Sequence, residues 1–185
     1  RRVELCDNLS VGGTTPSYGV IRAAVDLAKS YETTIMTMIR PRGGDFVYTD
    51  LEVEIMLEDI KKAREAGSQG VVYVENELDT ENLESLLAVS QGLEVVFHMA
   101  FDSIPKDKQF EALDWLADHG VKRILTHGGP ATETIQEHFA WLKELVAYAD
   151  KRIQILPGGG ITTQNRDEIV VELGVDQLHG TKVVF

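Results

Sequence analysis

The sequence predicts an α/β fold with a parallel β-sheet. Short apolar segments rich in Val and Ile alternate along the chain with longer amphipathic segments, and polar or glycine-rich loops join them. Parallel strands covered by helices have this composition, and strict strand–helix alternation is typical of α/β folds. The overall composition, 43% hydrophobic and 26% charged residues, is that of a globular domain. With 185 residues the chain can form one sizeable core, so we expect a single domain over residues 1–185.

The apolar segments predict seven strands. These are Arg2–Cys6, Thr34–Ile39, Gly70–Val74, Glu94–His98, Arg123–Thr126, Ile153–Leu156 and Asp176–His179. The amphipathic segments predict six helices, which are Tyr18–Ser30, Leu51–Ala66, Thr80–Ser90, Lys108–His119, Ile135–Ala149 and Gln164–Leu173.

Several predicted helices carry signals for their ends. Thr49 and Glu52 have the spacing of a capping box, in which each side chain accepts a hydrogen bond from the backbone amide of the other residue. Gly67, Gly120 and Gly174 each follow a helix where a left-handed residue is favoured. These signals support the helix assignments.

Polar residues follow nearly every predicted strand, and this recurrence favours a closed (β/α)8 barrel over an open sheet. An open sheet gathers ligand groups at one crevice, whereas every strand of a barrel ends at the same mouth. Seven strands are one fewer than eight, and the chain does not begin with Met. We therefore expect the first strand–helix unit of the barrel to precede Arg1.

Charge and cysteine content exclude some classes of partner and compartment. The net charge of −12 opposes binding to nucleic acid or to an anionic membrane, because both depend on neutralising phosphates. No apolar run approaches the roughly 20 residues that span a bilayer. The single cysteine, Cys6, excludes an intramolecular disulfide and fits a reducing, cytoplasmic location.

Five ionisable residues at strand ends are candidates for general acid–base chemistry. These candidate catalytic residues are Arg40, Glu75, His98, Asp102 and His179. If they face inward they are costly to bury without a partner or a ligand. Arg40 has the alternative of an internal salt bridge with Glu75 or Glu4, and His98 that of a core histidine. Asp102, four residues after His98, is a candidate to orient the His98 ring.

A second group of residues is predicted to bind an anion. It comprises Arg42, Thr126, Gly158, Gly159 and Gly160. With one strand missing in front, the glycine run follows the seventh strand of a barrel, where phosphate often binds. Basic residues at the strand ends of an acidic protein favour a small anionic ligand. Arg42 has the alternative of a solvated loop residue.

Sulfur and imidazole groups on the same strand faces suggest a metal. Cys6, Met36, Met38, His98 and His179 are soft ligands of the kind that suit Cu(I), with Cys6 the thiolate among them. Met36 and Met38 are equally suited to filling the core. No zinc-spaced Cys/His motif, P-loop, dinucleotide fingerprint or nucleophile elbow is present.

The motifs together resemble the CutC family, which is named for copper homeostasis. The resemblance rests on RVELC (2–6), GGTTPSYG (12–19), RPRGGDFVY (40–48), FHMAFD (97–102), LTHGG (125–129) and the late GGGI and LHGT segments. It covers nearly the whole chain, in order. The first strand of family members, which carries an acidic residue and often a cysteine, has no counterpart here.

The resemblance implies a (β/α)8 barrel, a cytoplasmic location and assembly as a homodimer or higher homo-oligomer. It also implies a role in copper tolerance or trafficking. Cys6 matches a candidate copper cysteine of the family, and Arg40, His98, Asp102 and His179 match positions that line the family's barrel mouth. Two hypotheses follow. The chain is a copper homeostasis protein that binds Cu(I), or it is an enzyme that acts on a small anionic substrate, for example a phosphorylated one.

Overall fold

A computed structural model describes residues 1–73 and 78–184 of the chain. It shows an α/β fold with six parallel strands in this part of the chain. The residues divide into two compact units, Arg1–Val96 and Phe97–Phe185.

The first unit contains strands β1 to β4 in that spatial order. They are β1 (Arg2–Leu5), β2 (Thr34–Ile39), β3 (Gly70–Tyr73) and β4 (Glu94–Phe97, whose last residue opens the second unit). Between them lie α1 (Tyr18–Lys29), α2 (Asp50–Glu65) and α3 (Thr80–Val89). The pairs β1–β2 and β2–β3 are parallel, with Glu4 opposite Met36 and Met38 opposite Val72.

The second unit contains two more strands. It comprises a 3-10 turn (Met99–Ser103), α4 (Lys106–Asp118), β5 (Arg123–Thr126), a second 3-10 turn (Ile135–His138), α5 (Phe139–Ala149), β6 (Gln154–Pro157) and α6 (Arg166–Leu173). Strands β5 and β6 are parallel, with Thr126 opposite Pro157.

The helix ends follow the local sequence signals. The capping box of Thr49 and Glu52 is formed at the start of α2. Gly67, Gly120 and Gly174 have positive φ after α2, α4 and α6, as predicted. The predicted helix over Ile135–Ala149 is divided, because a 3-10 turn precedes α5.

The predicted seventh strand, Asp176–His179, is not a strand in this structure. One backbone bond connects this segment to β6, from the His179 amide to the Pro157 carbonyl (2.9 Å). A single bond does not make the repeated ladder that defines a strand. The described residues thus contain six strands rather than seven, and they do not show a closed eight-stranded barrel.

The core of each unit comes from one face of each helix and from the strands β2 to β6, which are buried along most of their length, whereas β1 has no buried residue. In α2 the buried residues Val53, Met56, Ile60 and Ala63 recur at helical spacing. In the described part of the chain, no helix has both the length and the apolar character needed to span a bilayer.

Candidate functional site

Arg40 directly follows β2 and is buried, with 3% of its surface exposed. Its Nη1 donates to the carbonyls of Val11 (2.8 Å) and Gly13 (2.9 Å), and its Nη2 donates to the carbonyl of Gly44 (2.9 Å). The guanidinium also lies 4.8 Å from the centre of the Phe46 ring. It forms no ion pair with any acidic residue that the structure describes, so the predicted salt bridge with Glu4 is not formed. Glu75 lies outside the described residues.

Arg42 is a paired loop residue. It donates to the carboxylate of Glu52, which also belongs to the capping box of α2, and to that of Asp45 (3.0 Å). These hydrogen bonds raise the pKa of Arg42 and lower the pKa of Asp45. The pKa of Glu52 is lowered chiefly by the hydrogen bond from the Thr49 amide and then by the bond from Arg42. Two internal carboxylates therefore compete with any external anion for this side chain.

Cys6 and Met38 meet at Gly13. A Cβ atom added to Gly13 would lie 2.7 Å from Met38 Sδ and 3.3 Å from Cys6 Cβ. The parallel register explains the meeting, because Leu5 lies opposite Thr37 and the next residues are Cys6 and Met38. Met36, on the same strand face, lies instead against Gly70. The Met38 thioether and the Cβ of Cys6 therefore both border Gly13 in the first unit.

The Cys6 thiol is free and half-buried. Burial raises the pKa of this thiol, and the negative charges of Glu4 and Asp7 raise it further. Among the described residues, no group of three or more His, Cys, Asp and Glu side chains is placed to hold a metal ion. Met38 is the soft ligand that the described residues place beside the Cys6 side chain.

Asp102 is the centre of a hydrogen-bond network in the second unit. Its carboxylate accepts bonds from the Thr126 hydroxyl, the His127 amide (2.7 Å) and the Gly128 amide (3.1 Å). Burial raises the pKa of this carboxyl, and the three donors oppose the shift. These described partners do not include His98, so the predicted orientation of His98 by Asp102 is not realised through a hydrogen bond.

His127 lies between two backbone carbonyls. Its Nδ1 is 2.9 Å from the Gly158 oxygen and its Nε2 is 3.1 Å from the Glu133 oxygen. A Cβ at Gly159 would come within 2.6 Å of the His127 ring, so only glycine fits there. The sequence predicts that Gly158–Gly160 binds an anion. It does not predict that Gly159 packs against His127, because that contact depends on how two loops pack.

The remaining predicted residues of the second unit lie near the ends of its strands. The Gly158 amide donates to the Thr126 carbonyl (2.9 Å), so that amide is already engaged, while Gly159 and Gly160 have positive φ. The half-buried His179 has its Cβ about 3.5 Å from the Cβ position of Gly158. The half-buried His98 occupies the N-cap position of the 3-10 turn that carries Asp102.

These features define a class, an α/β protein with parallel strands. Within each unit, polar or sulfur side chains lie near the carboxyl ends of strands. Comparisons with known proteins identify the family. The CutC family model matches residues 1–184. The chain is 51% identical over 187 residues to a CutC family protein of Enterococcus faecalis, covering 99% of this chain and 90% of the relative. This chain belongs to the CutC family.

More distant relatives and solved structures agree. The human protein named copper homeostasis protein cutC homolog is 39% identical, over 96% of this chain and 64% of the relative. The crystal structure of CutC from Streptococcus agalactiae superposes with a TM-score of 0.95 at 51% identity, covering 99% of this chain and 89% of that one. Deoxyribose phosphate aldolase from Aeropyrum pernix matches with a TM-score of 0.68 at 14% identity, over 89% of this chain and 71% of the other, which shows likeness of fold alone.

Proposed function

We propose that this protein acts in copper homeostasis by binding Cu(I) through the Cys6 thiolate and the Met38 thioether. The observation that carries the proposal is the meeting of these two side chains at Gly13. Thiolate and thioether sulfur are the soft ligands that Cu(I) prefers. The name of the human relative, copper homeostasis protein, points the same way.

The residues around Cys6 define what binding requires. Cu(I) binds the thiolate, so the thiol proton must leave to solvent when the metal arrives. Glu4 and Asp7 raise the pKa of the free thiol, but the same negative charges favour a cation once it is bound. Gly13 leaves the space that both sulfur side chains enter.

A competition titration against a Cu(I) chelator tests the proposal. Cys6→Ser should weaken Cu(I) binding by orders of magnitude, because it removes the thiolate, and Met38→Leu should weaken it by a smaller factor. Met36→Leu is the matched control, since Met36 and Met38 lie on the same strand and are each 2% exposed. Equal affinity in wild type and Cys6→Ser would overturn the proposal.

A second candidate function is an enzyme that acts on a small anionic substrate, for example a phosphorylated one. Asp102 is the observation that favours it, because burial raises the pKa of this carboxyl, and a carboxyl that holds its proton more firmly than a surface one is suited to act as a general acid. His98 and His179 are its candidate partners from the sequence. A panel of small phosphate esters and carboxylates, followed by NMR for substrate consumption, tests it: turnover should be lost in Asp102→Asn and kept in Thr126→Ser, which retains the hydroxyl. Turnover unaffected by Asp102→Asn would exclude Asp102 as the acid–base group.

The cytoplasmic location, the homo-oligomer and the closed (β/α)8 barrel are parts of the same proposal. The free thiol of Cys6 supports a reducing compartment. The polar residues that follow successive strands support the barrel. Light scattering of the purified protein would measure the oligomer.

A further inference from the structure

Arg40 is a buried cation whose charge is not neutralised by the residues that hold it. The carbonyls of Val11, Gly13 and Gly44 satisfy three of its N–H groups, but carbonyls are neutral. No carboxylate in residues 1–73 or 78–184 pairs with Arg40, and the Phe46 ring provides only the weaker attraction of a π face. A buried charge without a counter-ion is strongly disfavoured.

Arg42 provides an internal comparison. It is more exposed than Arg40, and yet two carboxylates, from Asp45 and Glu52, bind it. The loop and the first turn of α2 thus supply counter-ions to the more exposed arginine, which needs them less. The buried arginine is left to find its counter-ion outside the described chain.

The unused donors of Arg40 have the arrangement that binds oxyanions. Its Nε is buried and has no hydrogen-bond partner among the residues that the structure describes. Nη1 uses both of its N–H groups and Nη2 uses one of two, so one N–H remains on Nη2. Planar guanidinium groups bind carboxylate and phosphate through two parallel N–H bonds of this kind.

We propose that Arg40 is the anchor of a binding site for a small oxyanion, a phosphate, sulfate or carboxylate group, held by Nε and Nη2. Gly12 and Gly13 have φ values of +87° and +95°, which glycine adopts readily, and a Cβ at Gly12 would lie 3.2 Å from Nη1. The backbone can therefore close on the guanidinium from one side while the Nε edge stays unused. Arg40 also lines a cleft of about 280 Å³ whose other polar lining residues include Thr14, Ser17, Lys62 and one carboxylate, Asp59.

This site is separate from the copper proposal and does not rest on it. Its anchor is a guanidinium rather than sulfur, and its ligand is an anion rather than a metal cation. A negative Cu(I) titration would leave it standing, and a negative anion titration would leave the copper proposal standing.

NMR of the arginine Nε–H groups in the wild-type protein tests the site directly. Titration with inorganic phosphate at constant ionic strength should shift the Arg40 Nε–H resonance saturably, while sodium chloride alone should not. Parallel titrations with sulfate and acetate distinguish a tetrahedral anion from a carboxylate, and saturable binding of any of them at Arg40 supports the proposal. An Arg40 Nε–H resonance that does not respond to any of the three would overturn it.

Two variants supply the control. Arg40→Lys keeps the positive charge but loses the planar pair of donors, so phosphate affinity should fall by about tenfold or more. Arg42→Lys should leave phosphate affinity unchanged. Phosphate binding that survives Arg40→Lys and disappears in Arg42→Lys would assign the anion to the surface loop instead. If Arg40→Lys does not fold, the wild-type resonance still decides the question.

Discussion

Asp102 accepts a hydrogen bond from the hydroxyl of Thr126, the last residue of β5, and the same hydroxyl accepts a bond from the Gly128 amide (2.9 Å). The carboxylate thus fixes the end of a strand and the first residues of the following loop. The raised pKa of Asp102 shows that burial outweighs the three donors that favour its ionised form.

Asp102→Asn should destabilise the protein. One carboxylate oxygen is replaced by an NH2 group, which cannot accept a bond from the His127 amide or from Thr126. Leaving a buried donor unsatisfied costs about 1–3 kcal/mol. Urea denaturation measures the change, and Asp118→Asn, at an exposed position, is the control with an expected change below about 0.5 kcal/mol. Equal stability of the two variants would contradict the network.

The stability difference between wild type and Asp102→Asn should depend on pH. The pKa of Asp102 is higher in the folded protein than in the unfolded chain, because burial disfavours the charged form. Its contribution to stability is therefore fully present below the unfolded pKa of about 3.9 and is lost as pH rises through the folded pKa. Denaturation curves at several pH values should show that the free energy of unfolding of wild type increases, relative to that of Asp102→Asn, as the pH is lowered. A difference that stays constant, or that shrinks on acidification, would be inconsistent with the raised pKa.

Cu(I) affinity should increase with pH. The pKa of Cys6 is raised by burial, Glu4 and Asp7, so the thiol is protonated near neutral pH and one proton leaves on binding. Below the thiol pKa the apparent affinity should rise by about tenfold per pH unit, after correction for the chelator. An affinity that is flat across this range would argue against the thiolate as ligand.

Gly13→Ala should disturb the sulfur pair specifically. The new Cβ would lie 2.7 Å from Met38 Sδ at a φ of +95°, so it adds a steric clash to backbone strain. Gly92→Ala is the matched control, because Gly92 has a φ of +87° and no atom within 4 Å of the added Cβ. Thermal or urea unfolding should show a loss of about 1–2 kcal/mol for Gly92→Ala from strain alone, and a larger loss for Gly13→Ala.

The Cu(I) titration on the same two variants separates stability from binding. Gly13→Ala should bind Cu(I) more weakly than wild type, and Gly92→Ala should bind it equally. If both variants keep wild-type affinity, Met38 is not a ligand in its present position.

The sequence predicts the elements of this fold well, because local signals set them. The strand Thr34–Ile39 is found with its predicted bounds, and the capping box of α2 is formed by the two residues that were expected. The segment Asp176–His179 is predicted to be a strand, but strand pairing depends on neighbours that local sequence does not specify.

The candidate site is predicted only in part. The sequence predicts that Arg40, Asp102 and Cys6 belong to a functional site. It also predicts that Asp102 orients the His98 ring, whereas in the structure Asp102 accepts hydrogen bonds from Thr126, the last residue of β5, and from His127. These bonds join residues that are 24 and 25 positions apart, and the local sequence pattern does not predict contacts over that separation. The role of Gly13 was likewise not predicted, because a missing side chain becomes informative only when its surroundings are known.

The three carbonyls bound by Arg40 belong to two different loops, residues 9–13 before α1 and residues 41–48 before α2. One side chain therefore cross-links both segments, of which the first contains a short 3-10 turn (Leu9–Val11) and the second contains neither helix nor strand. The two loops should open and close together, and their amide hydrogens should exchange with solvent as one cooperative group. An anion bound to Arg40 should slow amide exchange in both loops at once, including at residues that do not contact the anion.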